Sequence, residues 1–208
     1  MRMIAALVLV GASLGAVGQQ GTTASGAAVV APVAPTAAPA QVAKPKPLVG
    51  AIAGRPEWPL AKAEDVKTVQ AIVASLYSVI SGGKGVARDW DRFKSLFVPG
   101  ARLVPIRMAR GSGHNDPIFL SPEDYIERSS GALNEGFVES SVANRVEEFG
   151  NIVHVWSTYE SRHEAGGAAF ARGINSIQLV KDGERYWIVQ VMWDAERPGV
   201  VIPEKYLK

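Results

Sequence analysis

The C-terminal stretch that decides the fold reads FARGINSIQLVKDGERYWIVQVMWDA over residues 170–195. Two runs rich in β-branched and aromatic residues flank Asp182-Gly183, and a DG pair in that setting is the strongest short-range signal for a β-hairpin. The pattern predicts strands over residues 170–181 and 184–195. With Asp182-Gly183 as a two-residue turn, Lys181 faces Glu184, and residues paired in this register share a face of the sheet.

This register sorts the hairpin side chains into two faces. It pairs Arg172 directly with Trp193, and a guanidinium over an indole ring forms a favourable cation–π contact. One face carries Arg172, Ile174, Ser176 and Gln178 opposite Trp193, Val191, Val189 and Trp187. The other carries Asn175, Ile177 and Leu179 opposite Gln190, Ile188 and Tyr186, with Met192 and Asp194 further along.

Helices precede this sheet in the chain. Helical apolar spacing predicts a helix over 64–81 that ends at Gly82-Gly83, and Asp89 predicts the cap of a short second helix. A strand follows over 101–108, and Ser121-Pro122 predicts the start of a third helix that ends near Asn134. Alternating segments predict strands over 137–149 and 152–162. Helices first and an antiparallel sheet later indicate an α+β domain.

Several segments together resemble the NTF2-like (SnoaL-like) superfamily, in particular exported bacterial members of unassigned activity. They are SGG at 81–83, RDWDRFKSLFVPGARL at 88–103, GNIVHVWSTYES at 150–161 and RGINSIQLVKDGERYWIVQVMW at 172–193. The resemblance covers residues 63–197. It implies a cone in which the N-terminal helices pack inside a strongly curved, mostly antiparallel sheet.

The resemblance also implies which residues face the cavity of the cone. In the superfamily the aromatic and aliphatic series of the last strand faces inward, and here that series is Trp187, Val189, Val191 and Trp193. We therefore expect the ligand-binding residues to be Arg172, Trp193, Tyr159, Ser176 and Trp187. Arg172 would bind an anionic or carbonyl group, or would instead be a structural partner of Trp193. The loop at His114 is a candidate lid.

The superfamily contains both enzymes and pocket proteins, so the fold alone assigns no activity. Members of its steroid-isomerase subgroup use a carboxylate base and an acidic hydrogen-bond donor. The resemblance places the base at Pro105 and the donor at Ile174 or its neighbours, so this chain has neither acid at the expected position. We expect a domain that binds a small, partly apolar ligand without established catalysis. A lyase, isomerase or hydrolase using Tyr159 with Arg172 or His114 is one alternative. A structural module with a filled cavity is another.

The composition limits the classes of metal ion, cofactor and macromolecule that this protein is expected to bind. The 208 residues include no Cys and only 3 His, and the His residues lack metal-ligand spacing, so no metal or cofactor is implied. The net charge is +2. Residues 58–208 alone hold 18 Lys and Arg against 19 Asp and Glu. A nearly neutral domain is not expected to bind nucleic acid.

The N-terminal region divides into two segments. Residues 1–18 have a basic Arg2 followed by a short apolar run and end in Ala16-x-Gly18, which is the plan of a signal peptide. Residues 19–57 are rich in Ala and Pro and contain no aromatic residue, which predicts a disordered linker. The folded domain is then 58–208. It would be exported, periplasmic or secreted, with no membrane span after cleavage of the signal.

Both faces of the predicted hairpin carry apolar side chains, and the helices of one domain cover only one of them. We therefore expect a homodimer formed through the sheet, with Tyr186, Ile188 and Met192 in the interface.

We predict that export removes residues 1–18, because the apolar run falls short of the ~20 residues that a membrane span needs. N-terminal sequencing of the exported protein should start near Gln19. A mature protein that still begins at Met1 would contradict this prediction.

Overall fold

The computed structural model describes residues 57–108, 114–183 and 185–208, with the side chains of residues 107 and 108 left out. The predicted signal peptide and all but the last residue of the predicted linker lie outside these ranges. Among the described residues, no helix is long and apolar enough to cross a membrane.

The part of the chain that the structure describes contains four α-helices, which follow the predicted capping signals with one interruption. The predicted helix over 64–81 is split into α1 (Ala63–Val66) and α2 (Val69–Ile80). The side chain of Thr68 accepts a hydrogen bond from the Ala71 amide and starts the second piece. Asp89 caps α3 (Trp90–Ser95) in the same way. A complete capping box at Ser121 and Asp124 begins α4 (Pro122–Asn134).

Within the described ranges, six strands form one mixed, mostly antiparallel sheet in the order β2-β1-β6-β5-β4-β3. Among these described strands, the β1–β6 pair alone is parallel. The strands are β1 (Phe97–Met108), β2 (Asn115–Pro117), β3 (Val138–Phe149), β4 (Ile152–Arg162), β5 (Ala169–Asp182) and β6 (Arg185–Ala195). The short 3-10 helix η1 (Glu204–Tyr206) follows. The helices pack on one face of the sheet, here called the inner face, which confirms the predicted α+β class.

The register of the last hairpin differs from the prediction. Asp182 pairs with Arg185, and Leu179 pairs with Ile188. The next residue of β5, Gln178, pairs with Gln190. Val189 on β6 is therefore an extra, unpaired residue, and the register shifts by one there. A one-residue bulge moves every later side chain of the bulged strand to the other face. Beyond it, Asn175 pairs with Trp193, whereas the sequence register paired Arg172 with Trp193.

Two of the three residues expected in a dimer interface therefore lie in the wrong place for that role. Ile188 is buried in the hydrophobic core and Tyr186 packs against that core, both on the inner face. Met192 lies on the opposite, outer face, where it pairs with Ser176. The bulge at Val189 is the reason, because it places Met192 on the face of the sheet opposite to Tyr186 and Ile188.

Buried polar groups tie the helices to the sheet. The Arg88 guanidinium donates to the carbonyls of Ile80 (2.9 Å), Gly82 (2.9 Å) and Leu133 (2.8 Å). One side chain thus connects the C-terminal ends of α2 and α4 through their carbonyl oxygens. Near the start of the domain, the Trp58 indole donates to the carbonyl of Phe97 (3.0 Å) and so anchors the first described residues to β1.

Candidate functional site

A small cavity of about 70 Å³ lies between the helices and the inner face of the sheet. Its wall is mainly apolar, with a few polar side chains at one part. The lining residues are Leu76, Ile80, Phe93, Leu103, Tyr125, Leu133, Phe137, Glu139, Tyr159, Asn175, Val191 and Trp193.

The polar part of the wall is organised around the carboxyl group of Glu139. The Ser161 hydroxyl donates to one oxygen at 2.7 Å, and the Asn175 amide lies 3.5 Å from the other. The same amide nitrogen donates to the Tyr77 hydroxyl at 3.0 Å, and that hydroxyl lies 2.6 Å from the Ser157 hydroxyl. One connected network therefore joins α2 to β3, β4 and β5.

The apolar surroundings change the acidity of these groups. Burial raises the pKa of Glu139 from 4.5 to about 7, although the hydrogen bonds from Ser161 and Asn175 oppose the shift. Burial also raises the pKa of Tyr77, Tyr125 and Tyr159 well above the usual value, so these phenols stay neutral. Glu139 can therefore take up and release a proton near neutral pH, as a general acid or base must.

Aromatic rings form much of the remaining wall of the cavity. Tyr125 stacks on Phe93 with ring centroids 5.2 Å apart, and Trp193 meets Tyr125 edge-on at 6.3 Å. Phe137 completes the aromatic lining. Among the described residues, no Lys, Arg or His side chain lines the cavity, so Glu139 is the lining group that carries charge at neutral pH.

Tyr159 and Trp193 are the two predicted ligand-binding residues that line the cavity. Gly173, which pairs with Tyr159 across β4 and β5, leaves the space that the phenol ring occupies. An added Cβ at Gly173 would lie 2.5 Å from the Tyr159 hydroxyl oxygen and 2.3 Å from the carbonyl oxygen of Asp194. A side chain at this position would therefore displace Tyr159.

The other three predicted ligand-binding residues face away from the cavity. The Arg172 Nε lies between carboxylates of Glu160 (3.4 Å) and Glu196 (3.7 Å) on the outer face, so the predicted Arg172–Trp193 pair is wrong. Ser176 bonds His154 there at 3.0 Å. Trp187 also lies on the outer face, with the Arg185 guanidinium 3.2 Å from its ring centroid. Each error follows from the bulge at Val189.

Neither His114 nor Pro105 brings a catalytic group to the cavity. His114 is exposed just before β2 and does not line the cavity, and residues 109–113 lie outside the described ranges. Pro105 pairs with Trp193 across β1 and β6. The inner-face residue beside the expected acidic position on β5 is Asn175, an amide. Tyr159, Arg172 and His114 are thus not brought together.

Sequence reasoning missed Glu139 and Tyr77. The predicted strand over 137–149 is mostly polar, so its inner face could not be told from its outer face by alternation. Phe137 and Glu139 share a face, and the apolar Phe137 was the one available sign that this face points inward. The pairing of Glu139 with Ser161 depends on strand register, which the sequence alone does not provide.

We predict that replacing Glu139 by Gln stabilises the fold in a pH-dependent way. Between the unfolded pKa of 4.5 and the folded pKa of about 7, the folded protein binds more protons than the unfolded chain, so this group lowers stability as the pH rises. Relative to the unsubstituted protein, Glu139→Gln should gain about 3 kcal/mol in unfolding free energy between roughly pH 4 and pH 8.

Urea unfolding at both pH values measures this difference. Glu147→Gln is the matched control, because Glu147 lies exposed on the same strand. The control should show no such gain. An equal response of the two variants would mean that the Glu139 carboxyl group is solvated in the folded protein.

Among the described residues, no group of three or more His, Asp and Glu side chains could hold a metal ion. No family model matches the chain, and no curated protein matches it. Solved structures do resemble it. One is a protein of unknown function with a cystatin-like fold from Nostoc punctiforme, with a TM-score of 0.47 and 8% identity over 62% of this chain and 88% of that one.

Two further structures carry names from the family that the sequence resembles. An NTF-2 like protein of unknown function from Silicibacter pomeroyi has a TM-score of 0.41 and 14% identity over 62% of this chain and 92% of that one. A putative ketosteroid isomerase from Shewanella frigidimarina has a TM-score of 0.42 and 12% identity over 65% of this chain and 99% of that one. The helices of the described domain lie against one face of a mostly antiparallel sheet around a cavity, which is the α+β arrangement that the sequence predicts.

Proposed function

We propose that this domain binds a small, partly apolar molecule in the cavity between its helices and its sheet. The observation that carries the proposal is the convergence of one polar network on an otherwise apolar, aromatic cavity. Binding sites for small molecules are typically apolar hollows with a few polar groups that fix the orientation of the ligand.

The size of the cavity limits the ligand. A water molecule needs roughly 10–15 Å³ of such volume, so about 70 Å³ has room for on the order of five non-hydrogen atoms. Typical drug-sized sites are several times larger, at ~300 Å³ or more. The ligand, or the part of it that enters the cavity, is therefore small, with apolar groups against Phe93, Tyr125 and Trp193 and a polar group toward Glu139.

We predict that tert-butyl alcohol, which has an apolar body and one hydroxyl, binds in this cavity. In methyl-detected NMR titrations, the shifted signals should be those of the lining residues Leu76, Ile80, Leu103, Leu133 and Val191. With five non-hydrogen atoms and an upper limit of ~1.5 kcal/mol for each, such a small probe reaches at best low-micromolar affinity.

Two conservative variants test whether the cavity itself is the site. Val191→Ile adds one methylene to the wall of the cavity and should weaken binding. Val155→Ile adds the same group to the inner face of β4 away from the cavity, so binding should persist while stability falls by ~1–3 kcal/mol from overpacking. No shifts in the lining methyls, or shifts confined to Met192 and Ile174 on the outer face, would contradict the proposal.

Catalysis by a lyase, isomerase or hydrolase of this fold is the alternative that one observation favours. A carboxyl group with a pKa of about 7 in an apolar cavity is suited to proton transfer at neutral pH. In this chain such a reaction would use Glu139 in place of Arg172 or His114. Its turnover would be lost in Glu139→Gln and kept in Glu147→Gln.

We propose in addition that the protein is exported and that two copies associate through the outer face of the sheet. Apolar side chains of Trp156, Ile174 and Met192 line a groove of about 340 Å³ on that face, beside the exposed Val200 and Val201. Such a patch is typical of a protein interface.

We predict that light scattering at micromolar concentration gives a dimer mass and that Met192→Glu lowers it to the monomer mass. A charge on the outer face would be buried without a partner in the interface, which is strongly unfavourable. Val189→Glu is the control on the same strand, since Val189 is already partly exposed. A monomer mass for the unsubstituted protein would contradict association through this face.

A further inference from the structure

The charge of the cavity determines which class of ligand it prefers. The described wall contains one carboxyl group and no cationic side chain, and its other polar side chains are an amide, an indole and two neutral phenols. An anion placed in the cavity would meet the Glu139 carboxylate without a positive partner. A cation would meet an opposite charge and the faces or edges of several aromatic rings.

Resting on the proposed function, we propose that the cavity selects a small organic cation, such as a methylated ammonium group, held between the Glu139 carboxylate and an aromatic wall formed by Phe93, Tyr125, Phe137 and Trp193. The predicted Arg172 site called for an anionic ligand, so this inference reverses the expected ligand charge. Four structural observations support it.

The first is the arrangement of the rings. Phe93 and Tyr125 stack, and Trp193 stands at 81° to Tyr125, so the rings present more than one orientation to the same space. Ring faces attract cations through their quadrupole, and clusters of such rings recognise quaternary and methylated ammonium groups. The wall needs no hydrogen bond from the ligand, which suits an ammonium group without N–H donors.

The second is the fixed position of the carboxylate. Ser161 holds one Glu139 oxygen at 2.7 Å, and the Asn175 nitrogen lies 3.5 Å from the other. Both donors favour the charged form of the carboxyl group. Asn175 is itself held at 3.0 Å by Tyr77, so the negative charge is oriented before any ligand enters.

The third is that the nearby guanidinium of Arg88 is already hydrogen-bonded to other groups. Arg88 interacts electrostatically with Tyr125, yet its guanidinium is bound to the carbonyls of Ile80, Gly82 and Leu133 behind the wall. It donates to backbone oxygens and not to Glu139. The negative charge of Glu139 therefore has no ion-pair partner among the described residues.

The fourth is the raised pKa of Glu139, which lets its carboxyl group gain or lose a proton near neutral pH. The titratable groups that face it are Tyr77 from α2, Tyr125 from α4 and Tyr159 from β4, and burial keeps all three phenols neutral. Asp194 on β6 interacts with Tyr159. Burial raises the pKa of Glu139 to about 7. A bound cation should favour the ionised carboxylate, so that below this pH binding is coupled to release of the Glu139 proton.

Three probes of similar size and different charge test the inference in the full-length protein. Tetramethylammonium is cationic at every pH, tert-butyl alcohol is its neutral counterpart, and acetate is the anion. NMR titrations of the lining methyls give the affinity of each at about pH 8.5 and about pH 5.5. We expect tetramethylammonium to bind at least about tenfold more tightly than acetate, and more tightly at the higher pH.

Glu139→Gln keeps the size and hydrogen-bonding capacity of the side chain and removes its charge. It should weaken tetramethylammonium binding about tenfold or more, abolish the pH dependence and leave tert-butyl alcohol binding nearly unchanged. Glu147→Gln should match the unsubstituted protein in every titration.

The outcomes separate this inference from the proposed function. If tert-butyl alcohol binds in the cavity but tetramethylammonium binds no better than acetate, the cation inference is overturned and the ligand-binding proposal stands. If acetate binds best, the charge assignment is reversed. If none of the three probes shifts the lining methyls, both the inference and the proposed function fail.

Discussion

The arrangement of the site depends on keeping one carboxyl group inside an apolar cavity. Transfer of Glu139 from water would be strongly unfavourable without compensation, and Ser161 and Asn175 supply donors to its oxygens. Asn175 in turn bonds to Tyr77, which belongs to a helix. The hydrogen bonds that satisfy the acid thus also join the helical layer to the sheet, so the chemistry of the cavity and the assembly of the fold share the same contacts.

A single extra residue decides which side chains enter the cavity. The bulge at Val189 places Val191 and Trp193 on the inner face and leaves Trp187 on the outer face of the same strand. Gly173, on the neighbouring strand, makes room for Tyr159. Bulges near sites commonly redirect side chains in this way. Here the consequence is chemical, because Asn175 takes the inner position opposite Trp193 and Arg172 lies on the outer face.

The two faces of the sheet consequently carry different kinds of charged group. On the outer face, Arg172 lies beside Glu160 and Glu196, and Arg162 also contacts Glu160. These partly exposed pairs are screened by water and contribute little to stability. On the inner face, burial of the Glu139 carboxyl group among apolar side chains raises its pKa to about 7 and strengthens its electrostatic interactions. A ligand that reaches the cavity therefore meets a single, poorly screened charge.

The sequence by itself determined the elements and the fold class, because these depend on local signals. Periodicity, the caps at Asp89 and Ser121 and the Asp182-Gly183 turn located most helices and strands within a few residues. It also identified Tyr159 and Trp193 as residues of the inner wall. Only the tertiary structure decided the pairing of strands beyond the bulge and the position of Glu139. Register depends on contacts between residues far apart in the chain, and a shift of one residue exchanges the two faces of a strand. The charge of the cavity could therefore not be predicted from the order of the amino acids alone.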